Sequence, residues 1–134
     1  MPFNKRGGAS SPDIMGTSLT VYVKDATVAA PIKKGDLLVF DATAGAHGVR
    51  KAVDGDVIDA VSKHGLVEGP EDPCGVHLVQ GRSRINKMKY TGTAPTIGQS
   101  VVASGLGTVK ATATANKTRV MAVDTALQIV EVLI

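Results

Sequence analysis

The side chains of this 134-residue chain with chemistry to offer are few: His47, His64, His77, a lone Cys74, and Asp54, Asp56 and Asp59. The histidines stand 17 and 13 residues apart, outside the short local spacing by which zinc motifs bring ligands together. A nucleophilic thiol needs a cation or a helix N-terminus beside it to hold the thiolate. Cys74 instead follows Glu71 and Asp72 and sits between Pro73 and Gly75, which reads as a small residue at a loop-to-strand junction. Asp54-Gly55-Asp56 has the make-up of an exposed turn and lacks the further acidic ligands and closing Glu of a calcium loop. Gly105-Leu106-Gly107 lacks the third glycine and the following helix of a dinucleotide fingerprint. No phosphate loop and no Gly-x-Ser-x-Gly elbow occurs. The expectation is a protein that is not an enzyme and that takes no cofactor and no metal.

Positive charge is the denser signal. Arg82-Ser83-Arg84-Ile85-Asn86-Lys87-Met88-Lys89 places its cations mostly two apart. On a strand, Arg82 and Arg84 then share one face and Lys87 and Lys89 the other. Residues 1–72 hold eight Lys/Arg against ten Asp/Glu, whereas residues 73–134 hold seven against two, within an overall net charge of +3. A basic C-terminal half faces either nucleic acid or an acidic protein surface. Single-strand binders usually add aromatic platforms for base stacking. Aromatics are 3% of this chain and only Tyr90 is near the basic run. Nucleic-acid binding without sequence preference is therefore the alternative to protein binding.

The elements that would position these residues are short strands. Residues 1–18 read as a flexible arm: Lys5-Arg6-Gly7-Gly8-Ala9-Ser10-Ser11-Pro12 is polar and without periodicity. Residues 19–134 read as one β domain. Leu19, Val21 and Val23 alternate with Thr20, Tyr22 and Lys24. Further strands are expected at Leu37–Phe40, Val49–Val53, Val57–Val61, Gly75–Gln80, Val101–Ala103, Thr108–Thr112, Arg119–Val123 and Gln128–Ile134, with turns between. A short helix around Asp56–Lys63 is the alternative to the strand there. Eight to ten strands with turns every eight to twelve residues predict an all-β fold, a small β-barrel or β-sandwich. With one cysteine no intrachain disulfide forms. The basic start has no apolar run behind it, and no stretch reaches membrane-spanning length, so a soluble protein made in the cytosol is expected.

An internal echo runs through the pattern. Gly35-Asp36-Leu37-Leu38-Val39 and Gly48-Val49-Arg50-Lys51-Ala52 are matched by Gly98-Gln99-Ser100-Val101-Val102 and Gly107-Thr108-Val109-Lys110-Ala111. Asp59-Ala60-Val61 and Met121-Ala122-Val123 follow. The spacings differ, and Val-rich hairpins and a true duplication both give this echo.

Thr96–Ala103, Gly107–Thr114, Arg119–Asp124 and the terminal Val130-Glu131-Val132-Leu133-Ile134 together resemble the small head-decoration, or capsid cement, proteins of tailed phages. Lys34–Val61 looks like the same pattern once more, so the resemblance covers about residues 30–134. It implies a β-module on the capsid exterior, in the virion, that bridges neighbouring copies of the major capsid protein. It also implies self-association as a trimer or dimer, and no membrane. The arm, with Phe3, Asn4, Lys5 and Arg6, and the basic residues Arg82, Arg84, Lys87 and Lys89 are the expected capsid or subunit interface.

Overall fold

The computed structural model describes residues 18–79 and 84–134. Ten strands follow one another: β1 (Ser18–Val23), β2 (Leu37–Phe40), β3 (Gly48–Lys51), β4 (Ala60–Ser62), β5 (Cys74–Leu78), β6 (Ile85–Tyr90), β7 (Ser100–Ala103), β8 (Thr108–Thr112), β9 (Arg119–Asp124) and β10 (Ile129–Leu133). The helical content among the described residues is a single 3-10 turn, Ala42–Ala44, whose start is capped by the Asp41 carboxylate accepting from the Thr43 N–H. The protein is all-β, as its alternating pattern predicts.

The first five strands close into a barrel in the order β1-β3-β2-β4-β5, with β5 returning to β1. The last five form a sheet in the order β7-β8-β6-β10-β9. Its two edges curl together: Gly98 N–H donates to Val120 O at 2.9 Å, and Val120 N–H to Gln99 O at 2.8 Å. In the barrel the same two bonds join Gly35 to Ser62 O and Ser62 to Asp36 O, both at 2.9 Å.

The two halves share one plan. Each has a parallel first-to-third pair and antiparallel pairs elsewhere. Tyr22↔Gly48 and Val23↔Val49 in one correspond to Lys89↔Thr108 and Tyr90↔Val109 in the other. Overlaying the registers sets Val21 on Met88, Val23 on Tyr90, Leu38 on Val101, Val49 on Val109, Cys74 on Val130 and Val76 on Val132. All twelve are buried. The leading turns match in detail. Lys33 N–H donates to the Asp36 carboxylate at 2.7 Å, and Thr96 N–H to the Gln99 side-chain oxygen at 2.8 Å. Gly35 and Gly98 hold φ of 90° and 94°, in the left-handed region that glycine adopts without a Cβ penalty. The echo in the sequence is thus a repeat of structure, with two corrections. Register sets Gly48 on Thr108 and Val49 on Val109, one position from the sequence match, and aligns Ser62 with Val120, not Val61 with Val123.

The two halves pack as one body. Val21, Val23, Ile32, Leu38, Val49, Ala60, Val67, Cys74 and Val76 fill the barrel, and Leu106 from the β7–β8 turn packs against them. The second core, around Val101, Val109, Val120, Val130 and Val132, also takes in Leu37, Ile58 and Val61 from the barrel's outside. Leu37 N–H donates to Leu106 O, Gly55 N–H to Ala103 O and Ala103 N–H to Asp56 O across the junction.

That junction explains where the expected elements around Asp56–Lys63 fall short. No helix forms, and the strand begins only at Ala60. Gly55 and Asp56 reach across to Ala103, while Asp59 N–H donates to Leu38 O. The first two bridge the halves and the third ties the segment to β2, so none of these backbone groups can serve a helical ladder.

A basic groove at the junction as the candidate functional site

The expected chemical residues do not converge. His47 lies in the β2–β3 connection with Nδ1 3.2 Å from Thr20 O. His64 is exposed, and its ring lies over Gly75. His77 is on β5 against Arg84, whose Nη1 is 2.8 Å from Nδ1. Among the described residues no three of His, Cys, Asp and Glu gather as a metal site would require. The aspartates go to three different partners. Asp54 pairs with Lys110 at 2.7 Å. Asp56 takes a two-point bond from Arg50, at 2.6 and 3.1 Å, which holds its carboxyl below the usual range. Asp59 accepts from Phe40 N–H at 2.9 Å.

Cys74 is fully buried inside the barrel, its Sγ 3.5 Å from the Ser62 hydroxyl. Burial pushes the thiol pKa up, and the Ser62 hydrogen bond opposes that shift. This is the reverse of what a nucleophile needs.

Charge, in contrast, does gather. The β1-equivalent strand of the second half, β6, runs past the Lys33–Asp36 turn and β4 of the barrel, leaving an open groove between them. Its two contiguous stretches, about 350 and 450 Å³, share Lys34, Gly35, Val61, Asn86 and Lys87. Among the described residues six cations line it: Lys33, Lys34 and Lys63 from the barrel, Arg84, Lys87 and Lys89 from the second half. Asp36 is the one acid among those lining residues, and burial raises that carboxyl's pKa. Among the described residues, only Lys87 of the six has a carboxylate at salt-bridge distance, Glu131 at 3.8 Å. That pair is exposed and contributes little. Lys63 Nζ donates to Ser18 Oγ at 2.6 Å, and Arg84 Nε to Asn86 Oδ1 at 3.1 Å. The field of the groove is felt by His77, which burial, then the charges of Arg84 and Lys63, make harder to protonate.

Of the expected interface, Arg84, Lys87 and Lys89 lie in this groove. Lys87 and Lys89 share the exposed face of β6, as their spacing predicts. Phe3, Asn4, Lys5, Arg6 and Arg82 lie outside the described residues, as does the arm. Sequence reasoning missed Lys33, Lys34 and Lys63. Lys33 and Lys34 read only as turn residues, and nothing local ties them to residues fifty positions on. The repeat marks Lys33 and Lys34 as part of a capped turn that recurs at Thr96–Gln99, but the packing of the two halves, not a local pattern, sets that turn and Lys63 beside β6.

Among the described residues no Phe, Tyr or Trp lines the groove, and His77 is its one ring. Tyr90 is buried in the second core. Among the described residues no helix is long and apolar enough to cross a membrane. No protein-family model matches the chain, and a search of the curated proteins gives no match either.

Proposed function

We propose that this chain is a non-enzymatic structural protein of a phage virion, which binds the outer surface of the capsid and cements neighbouring capsid subunits. The observation that supports this reading best is the repeat. The hairpin pattern that resembles capsid cement proteins occurs twice, and both copies fold as the same hairpin, β2–β3 and β7–β8, within the same five-stranded plan. A rigid two-module body with an open charged groove suits binding across a broad protein surface. A clamp that binds only the mature lattice stabilises it by mass action. Its interface then includes Arg84, Lys87 and Lys89, joined by Lys33, Lys34 and Lys63.

The alternative, nucleic-acid binding without sequence preference, is favoured by the same six cations. Among the described residues the groove offers only the His77 ring where single-strand binders use several stacking platforms. Co-sedimentation with expanded capsid shells separates the two. Binding in a fixed, symmetry-related ratio is expected. Failure to sediment with any shell, together with salt-sensitive retardation of DNA in a gel, would replace the cement reading by the nucleic-acid one.

A further inference from the structure

β6 lies between β8 and β10, but β8 covers only the end of its length, and the uncovered start of that edge faces the basic groove. Arg84 and Ile134 exchange both backbone bonds, at 3.2 and 2.8 Å, and Tyr90 N–H donates to Gln128 O. By the alternation of an antiparallel ladder, Arg84, Asn86, Met88 and Tyr90 therefore aim their N–H and C=O groups at β10. Ile85, Lys87 and Lys89 aim theirs the other way. On that side β8 pairs only with Lys89 and Tyr90. Among the described residues nothing pairs with the backbone of Ile85 and Lys87 on the groove side. Unpaired strand edges are templates for another chain.

We propose that this edge accepts an extended acidic segment of the partner protein as an added strand. The proposal rests on the capsid-binding reading and names its recognition chemistry. The edge offers the N–H and C=O groups of Ile85 and Lys87, two donors and two acceptors over about 7 Å at roughly 3.3 Å per residue. A phosphodiester backbone only accepts hydrogen bonds, so it leaves the carbonyls of Ile85 and Lys87 without donors. A peptide strand satisfies both kinds. Lys87 and Lys89 stand on the exposed face, where a cross-strand carboxylate meets them. Lys33, Lys34 and Lys63 stand across the groove, and Val61 and Met88 form an apolar floor. An occupant of alternating acidic and apolar residues fits both.

The chain's own N-terminal and acidic stretches fit less well. Residues 1–17 carry Lys5 and Arg6 against Asp13, the wrong sign for this groove. The acidic loop Glu68-Gly69-Pro70-Glu71-Asp72-Pro73 carries two prolines, which lack the N–H that strand addition uses.

Fluorescence anisotropy of the full chain at low salt tests this, with a labelled Glu-Val-Glu-Val-Glu-Val peptide as probe. The same peptide N-methylated at alternate positions and an oligo-dT strand serve as comparators. The plain peptide is expected to bind. N-methylation should weaken it by about tenfold or more, through lost backbone bonds. The double variant Lys34→Glu/Lys87→Glu should weaken it by about tenfold through charge. Ile85→Pro should also weaken it while keeping the fold, because that N–H points away from β10. If this variant fails to fold, the N-methylated peptide carries the same test. No peptide binding, equal binding of the methylated peptide, or tighter binding of oligo-dT would each overturn the proposal. Shell sedimentation separates it from the cement reading. Shells that retain the double variant as well as the native protein overturn the groove alone. Edge-specific peptide binding without any shell binding upholds the groove and removes the capsid as its partner.

Discussion

Two glycines show how differently one missing Cβ acts. At Gly48 an added Cβ would lie 2.4 Å from the Ala44 Cβ and 2.6 Å from its carbonyl carbon. Those atoms belong to the 3-10 turn that Asp41 caps, so backbone must move to make room. At Gly75 the added Cβ would meet the His64 ring, 2.4 Å from Nε2. His64 is exposed, and its ring can swing away. Gly48→Ala is therefore expected to destabilise by about 2 kcal/mol, the scale of overpacking a fixed site. Gly75→Ala should cost less than about 1 kcal/mol, and removing the ring in a Gly75→Ala/His64→Ala double variant should recover most of that. Urea unfolding of the three variants checks the order. Equal losses at the two glycines would mean that the Ala44 turn yields as easily as a surface ring.

At the scale of elements, the two halves predict one another. The barrel interior carries Ser62 and Cys74 where the second half carries Val120 and Val130. Ser62 Oγ donates to His64 O at 2.9 Å and lies 3.5 Å from Cys74 Sγ. Replacing both members of a buried polar contact with apolar groups is close to neutral, whereas removing one leaves the other unmatched. His64 sits in an exposed turn, where water can take over its carbonyl. Ser62→Val/Cys74→Val should thus stay within about 1 kcal/mol of the native protein by denaturant titration, while Val76→Ala should lose about 2 kcal/mol to a cavity. A loss above about 2 kcal/mol in the double variant would show that the two interiors are not interchangeable. The hairpins were legible because alternation survives in short strands: Val21 and Val23, or Met88 and Tyr90, fall on one face by spacing alone. The strand expected at Val57–Val61 overlaps β4, but its late start at Ala60 was not legible, because Gly55 and Asp56 bond to the other half of the molecule and no local period records that. The misaligned third segment has the same cause. Val61 and Val123 look alike in composition, while it is Ser62 and Val120 that donate their N–H groups to the Asp36 and Gln99 carbonyls. Half of the groove was readable as the run from Arg84 to Lys89. The other half depends on the packing of the two halves against each other, which sets Lys33 and Lys34 beside residues more than fifty positions on and which composition does not encode.

The whole molecule is bound more tightly than its two-part plan suggests. Leu106 leaves the second half to pack on the barrel core, and Leu37, Ile58 and Val61 leave the barrel to pack on the second. Each half thus completes the other's apolar interior. The junction also carries backbone bonds between Leu37 and Leu106 and between Gly55, Asp56 and Ala103. Separating the halves would expose buried leucine, isoleucine and valine on both sides, at roughly 25 cal/mol per Å² of apolar surface. A body held in this way unfolds as one cooperative unit. Native-state hydrogen exchange is the sharpest check, since it reads opening region by region. The slowest amides of β5 and of β10 should exchange with the same free energy, equal to that of global unfolding. Leu106→Ala should lower both by the same amount although Leu106 belongs to only one half. If β10 stayed protected while β5 opened, the groove would lie between two independent modules, and its six cations would hold their spacing only while both were folded. A single shared value means that the groove is as rigid as the cores on either side of it.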